Sequence, residues 1–208
     1  QAIGHVPIDV KMLGIDMLSA SAHKFNGPKG IGALIAKKIS PQSGKNTRVS
    51  SFIYGGAQER GLRAGTENVP AIVGMTRALE LAQEGLGDKK LAEQRDWMIG
   101  ELLKISGSRL NGHPTKRLPG NINVSFSGVK GETLVFYLSN AGICVSSGSA
   151  CTSGDLEPSH VLRAIGASES EGYEGLRITL PYCGLEPNTA SYVVKKVGEI
   201  VEELRRQP

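Results

Sequence analysis

The sequence predicts an α/β chain. Short apolar segments of strand length alternate with longer segments of helical period, glycine and proline punctuate the junctions, and no tract is of low complexity. Of the 208 residues, 39% are apolar and 21% charged, enough to bury a core for one domain or a domain and a half. In the first third, short crossovers suggest a parallel or mixed sheet, whereas the later elements read as α+β. Gly85-Leu86-Gly87 marks a boundary between residues 1–84 and 85–208, although the same glycines could form a bend inside one domain.

Val6 to Val10 and Asp16 to Ala22 read as short extended segments. Ile31 to Ala36, an apolar run after Gly27-Pro28-Lys29-Gly30, reads as a buried strand. Val49 to Tyr54 is a further expected strand; Gly55-Gly56 breaks it, and a polar loop containing arginines runs to Thr66. From Asn68, an N-cap with Pro70 in the first turn, apolar residues recur at helical spacing through Val69, Ile72, Val73, Leu79 and Ala82. A second helix from near Asp88 places Leu91, Met98, Leu102 and Ile105 on one face, beside Trp97 and Ile99, as ordinary core packing requires. Strand Asn121 to Phe126, helix Glu132 to Asn140, strand Ile143 to Val145 and helix Pro158 to Ile165 follow. The last strand is Leu176 to Leu180, which Pro181 must end, and a closing helix begins near Asn188 with Val193, Val197, Ile200, Val201 and Leu204 on one face.

Charge and composition exclude several functions. Twenty-four basic residues against 20 acidic ones leave a formal charge of +4, too little for a strongly basic nucleic-acid tail. No apolar stretch approaches the roughly 20 residues that span a bilayer, so no membrane helix is expected. The opening Gln1-Ala2-Ile3-Gly4-His5 has neither an initiating Met nor a signal-peptide core, which suggests a fragment. Cys144, Cys151 and Cys183 are an odd set in a chain that needs no disulfide staples, pointing to a reducing, cytoplasmic setting. Without a Cys-x-x-Cys pair, and with His5, His23, His113 and His160 scattered, no metal site is expected.

Two clusters could carry chemistry. The order of Gly27, Lys29, Gly30 and Gly32 matches neither a Walker loop nor a dinucleotide fingerprint. Immediately before it, Ser19-Ala20-Ser21-Ala22-His23-Lys24 ends an apolar strand in hydroxyls, an imidazole and an amine, at the kind of strand end where α/β sheets bind ligands. Lys24 could snorkel at the surface, or it could form an imine with pyridoxal phosphate, with Ser21 and His23 as phosphate donors. The second cluster, Ser146-Ser147-Gly148-Ser149-Ala150-Cys151-Thr152-Ser153-Gly154, cannot pack a core. Its Cys151 is either an incidental exposed thiol or one that ionises readily. Cys144, between Ile143 and Val145, reads as a buried small hydrophobe, and Cys183 has no assigned role.

The segment Ser21 through Gly30, the loop Gly61-Leu62-Arg63-Ala64-Gly65-Thr66, and Ser146 through Cys151 continuing to Leu156-Glu157-Pro158-Ser159 together resemble the cysteine desulfurases. More narrowly, they are similar to the NifS/IscS-like group of the class V aminotransferase family. The resemblance covers essentially the whole chain. It implies the type I fold of pyridoxal phosphate enzymes: part of a large domain with a mixed, mostly parallel sheet, and a smaller α+β domain that carries the cysteine loop.

By resemblance, Lys24 would bind pyridoxal 5'-phosphate, Ser21 and His23 would contact its phosphate, and Gln1 its phenolic oxygen. Thr66 would reach a neighbouring subunit's cofactor phosphate, which implies a homodimer. Arg177 would hold the substrate carboxylate and Cys151 would accept sulfur. The implied reaction converts L-cysteine to L-alanine and leaves a persulfide for a sulfur-acceptor protein such as an iron–sulfur scaffold. Alternatives are a selenocysteine lyase or other cysteine lyase on the same fold, or a noncatalytic scaffold subunit. Two departures stand out: Ile178-Thr179-Leu180-Pro181-Tyr182 follows Arg177 where the family usually continues with Ser and Gly, and the family's upstream cofactor residues precede Gln1.

Overall fold

The computed structural model describes residues 1–37, 49–87, 89–148 and 157–207. The chain divides into two compact units, Gln1–Gly87 and Asp88–Pro208.

The first unit is built from β1 (Met17–Ser21), a 3-10 turn (Ala22–Phe25), β2 (Gly32–Ala36) and helix α1 (Val69–Glu84). β1 and β2 pair antiparallel, with Met17 opposite Ala36 and Ser21 opposite Gly32. Of the parallel or mixed sheet that short crossovers suggested, this pair is antiparallel: residues 22–31 can close an antiparallel pair, whereas a parallel return needs a crossover of about a dozen residues or more. Gly32 is required by this pairing, since a Cβ there would lie 2.5 Å from the Ala20 carbonyl oxygen. Leu34 and Ile35, expected in a buried strand, are about half exposed. The core of this unit is small, Ala22 and Phe25 of the turn against Ala78 and Ala82 of α1. Asn68 caps α1 as its sequence predicts, its side-chain oxygen accepting from Ala71 N at 3.2 Å.

Two expected strands of this unit are absent. In Val6 to Val10, the Asp9 carboxylate accepts from the Lys11 and Met12 amides at 2.8 and 2.9 Å, so the chain turns. In Val49 to Tyr54, the Ser51 hydroxyl takes the Ile53 carbonyl at 2.9 Å, and no strand pairs with the segment among the described residues.

The second unit comprises α2 (Lys90–Leu102), β3 (Ser108–Leu110), β4 (Asn121–Phe126), α3 (Gly131–Asn140), α4 (His160–Ala164), β5 (Gly175–Thr179) and α5 (Pro187–Arg206). The strands form an antiparallel sheet in the order β3-β4-β5. Along β4, Ile122, Val124 and Phe126 turn to the helices while Asn121, Asn123 and Ser125 turn the other way, the alternation of a sheet packed on one face. That core joins Met98 and Leu102 of α2, Leu134 and Leu138 of α3 and Val197 and Val201 of α5, all fully buried. In α5, Ala190, Val193, Val197, Ile200 and Val201 recur at the three- and four-residue spacing of one helix face.

Short β3 escapes a reading by periodicity; it exists because β4 offers it a partner. Its connection to β4 is held by two arginines. Buried Arg95 bonds Asp96 and donates to the Leu118 carbonyl at 3.1 Å, and Arg117 donates to the carbonyls of Asn121 and Asn111, each at 3.1 Å. Burial, with the neighbouring Arg95 charge, pushes the Arg117 guanidinium down from its ordinary value. Ile143 to Val145 is not a strand, because the Ile143 amide is spent closing the end of α3 on the Leu138 carbonyl at 2.9 Å. Cys144, expected buried, is exposed: the chain alternates there, and Ile143 takes the inward position.

Candidate functional site

In the first unit, the Ser21–Lys24 cluster is displayed by the geometry of its turn. A 3-10 helix has three residues per turn, so Ala22 and Phe25 share one face and are buried together, which leaves His23 and Lys24 pointing outward. Asn26 ends the turn in the left-handed conformation at φ 64°, and the Gly27 amide closes it on the Ala22 carbonyl at 2.9 Å. Gly27 is needed here, since a Cβ would sit 2.9 Å from that of Ala22. The side chains of Ser21, His23 and Lys24 have no hydrogen-bond or ion-pair partner among the described residues. An amine for an aldehyde and a hydroxyl and imidazole for a phosphate are thus presented within four residues, a donor set that fits pyridoxal phosphate.

The loop ending at Thr66 carries strain. Glu59 and Arg60 adopt φ of 48° and 59°, followed by Gly61 at 77°. Non-glycine residues so held cost on the order of 1–3 kcal/mol each, and such cost collects at functional sites. The loop is fastened by the Gln58 side chain accepting from Gly65 N at 3.1 Å and by Arg63 donating to the Ala64 carbonyl at 2.6 Å. Gln1 and Thr66 are both exposed, and no hydrogen bond joins either to the Ser21–Lys24 turn among the described residues.

In the second unit, Arg177 lies in β5 directly across from Asn123 of β4. On its other side it pairs with Ser146: Ser146 N donates to Arg177 O at 3.1 Å, and Arg177 N donates to Ser146 O at 2.6 Å. Cys151 lies outside the described residues, but both flanks of its segment are anchored. Ser146 ties the leading side to Arg177, and on the trailing side Ser159 N donates to the Gly172 carbonyl at 3.1 Å while the Ser159 hydroxyl caps α4. Glycine at position 172 permits this approach, since a Cβ would lie 2.6 Å from that of Pro158. The structure therefore brings the entry to the Cys151 segment beside Arg177, two features 31 positions apart whose adjacency no local pattern announces. Arg177 is half-buried, and its guanidinium has no partner among the described residues. β5 ends at Thr179, before Pro181, and the Leu180 amide still bonds the Gly120 carbonyl at 2.8 Å.

Sequence reading missed a polar row across this sheet. Asn111, 4% exposed, donates through Nδ2 to Asn123 Oδ1 at 2.8 Å and to Ser125 Oγ at 2.9 Å, while its own Oδ1 is buried and unpartnered among the described residues. The available signal was the alternation Asn121, Asn123, Ser125, which marks a polar strand face.

The family profile described as "Aminotransferase class-V" matches residues 1–182. The chain is 48% identical over 207 residues to "Cysteine desulfurase IscS" of Methanosarcina thermophila, covering 99% of this chain and 49% of that one. It is 44% identical over 208 residues to "Cysteine desulfurase IscS" of Dictyoglomus turgidum, covering 99% and 51%. Among solved structures, a "NIFS-LIKE PROTEIN" superposes with a TM-score of 0.81 at 36% identity, over 97% of this chain and 50% of the other. A NifS-like protein from Rickettsia africae ESF-5 does so with a TM-score of 0.80 at 28% identity, over 99% and 52%. The chain spans about half the length of the curated relatives it matches.

Proposed function

The chain belongs to the aminotransferase class-V family, on the type I fold of pyridoxal phosphate enzymes, and from that premise we propose that it acts as a cysteine desulfurase, taking L-cysteine to L-alanine with sulfur held on Cys151. The observation that carries this reading is the backbone pairing of Ser146 with Arg177, which sets the residues leading to Cys151 beside an arginine whose guanidinium has no partner among the described residues. A planar bidentate donor suits a carboxylate, and a thiol a few residues along the adjoining segment suits that molecule's sulfur.

In this reading each residue has a role. Arg177 binds the carboxylate and orients the substrate. Lys24 Nζ, carried outward by the 3-10 turn, moves the proton at the substrate's Cα. Ser21 and His23 hold the cofactor phosphate, Gln1 its phenolic oxygen, and Thr66 a phosphate in a second copy of the chain, so the working form is a homodimer. The bound cofactor supplies an electron sink that acidifies the Cα proton. The Cys151 thiolate attacks the substrate sulfur; an S–S bond forms as the C–S bond breaks, and the electron pair stays with the carbon skeleton, which is protonated to alanine. No external oxidant or reductant is consumed. The persulfide then passes to a sulfur-acceptor protein, such as an iron–sulfur scaffold, in a reducing cytoplasm. Among the described residues no helix is long and apolar enough to cross a membrane.

The test is full-length protein given L-cysteine, with alanine release measured beside mass spectrometry of the peptide containing position 151. The wild type should release alanine and carry a persulfide there, whereas Cys151→Ser should do neither to any extent, because a hydroxyl is not ionised near neutral pH and forms no bond to sulfur. Alanine release at wild-type rate from Cys151→Ser, with no persulfide in the wild type, would remove this reading.

A further inference from the structure

We propose that Asn123 is a second binding residue for the substrate carboxylate, its Nδ2 amide donating to the anion that Arg177 holds. The inference rests on the desulfurase reading for the identity of the substrate, but its geometry belongs to the sheet alone. In an antiparallel sheet the N–H and C=O of one residue point to the same side. Both backbone groups of Arg177 are spent on Ser146, so toward β4 it makes none, and its pair with Asn123 is the non-hydrogen-bonded kind. Such pairs bring Cα atoms to about 4.5 Å and side chains closer than their neighbours, on one face of the sheet. Asn123 in turn gives its backbone carbonyl to the Asn111 amide at 2.9 Å, on the side away from β5.

The amide of Asn123 is also held with its donors free. Its Oδ1 accepts from the buried Asn111 Nδ2, which leaves the Asn123 Nδ2 without a partner among the described residues. Asn123 itself is half-buried, whereas the orphaned oxygen of Asn111 is fully buried. The orientation is favoured from below: turning the Asn111 amide over would bury two unpartnered N–H donors in place of one acceptor. Asn111 and Ser125 thus set the amide so that N–H groups, not an oxygen, face the place beside Arg177. Two neutral donors next to a planar cation form a site for a carboxylate and not for a cation.

Steady-state kinetics of alanine release and calorimetric titration with L-alanine test this on the full-length, cofactor-loaded protein. Asn123→Ala should raise KM for L-cysteine and weaken L-alanine binding by about tenfold each, and leave kcat within about twofold. Asn123→Asp keeps the acceptor for Asn111 but turns a carboxylate toward Arg177, so it should weaken L-alanine binding more than Asn123→Ala. Unchanged KM and L-alanine affinity in Asn123→Ala, or equal effects of Ala and Asp on L-alanine binding, would overturn the proposal in favour of a structural side chain. A wild type that releases no alanine from cysteine, yet binds L-alanine tenfold better than Asn123→Ala, would instead overturn the desulfurase reading and leave the carboxylate site standing.

Discussion

Ser146 and Arg177 exchange a reciprocal pair of backbone hydrogen bonds, and these add a fourth segment to the edge of the β3-β4-β5 sheet. The pairing is a single residue wide, since Ile143 is committed to α3 and Gly148 already turns back on the Ser146 hydroxyl. This one-residue bridge fixes Ser146 at the sheet edge, five positions before Cys151.

Replacing Arg177 by Lys should lower kcat/KM for L-cysteine about thirtyfold, roughly 2 kcal/mol of transition-state binding, because an ammonium cannot make the paired bonds of a guanidinium. The visible absorbance of the cofactor should persist. Steady-state alanine release measures the effect, and unchanged kinetics would hand the carboxylate to another residue.

Borohydride treatment of the cofactor-loaded protein, followed by peptide mapping, should place the pyridoxyl label on Lys24. The 3-10 turn throws this amine outward beside Ser21 and His23. Label on Lys29 or Lys37 would end the assignment.

Gly32→Ala should cost about 2 kcal/mol, because the new methyl meets the Ala20 carbonyl oxygen and one strand must shift. Amide hydrogen exchange should show faster exchange in β1 and β2, while α3 and α5 of the second unit keep their protection. Uniform change in both units would contradict a local clash.

Burial holds His5 below its ordinary value of 6.5. With the folded value depressed, the unfolded chain binds the extra proton first, so this contribution is complete above about pH 6.5 and is lost as pH falls toward the folded value. Urea denaturation at pH 7.5 and 5.0 should show a smaller difference for His5→Asn than for the wild type. An identical pH dependence in both would mean that His5 does not titrate differently on folding.

The sequence by itself determined the helices, the strand that carries the predicted substrate arginine and its neighbour β4. α1, α2, α3, α5, β4 and β5 begin and end within a few residues of where periodicity and caps put them, because a helix face, the Asn68 cap, and alternation along Asn121–Phe126 are written in neighbouring positions. Motif resemblance also singled out Lys24, Arg177 and Cys151 one at a time. Only the tertiary structure decided which segments meet. β1 and β2 proved antiparallel, Val6–Val10 and Val49–Tyr54 found no ladder, and Cys144 faced solvent while Ile143 went inward. Above all, Asn111, Asn123, Arg177 and Ser146 line up across one sheet face although they come from four separate stretches of chain. Pairing partners carry no local mark, since a backbone amide bonds any carbonyl that packing brings to it. The register that aligns this row is set by which apolar faces bury together in the core beneath it.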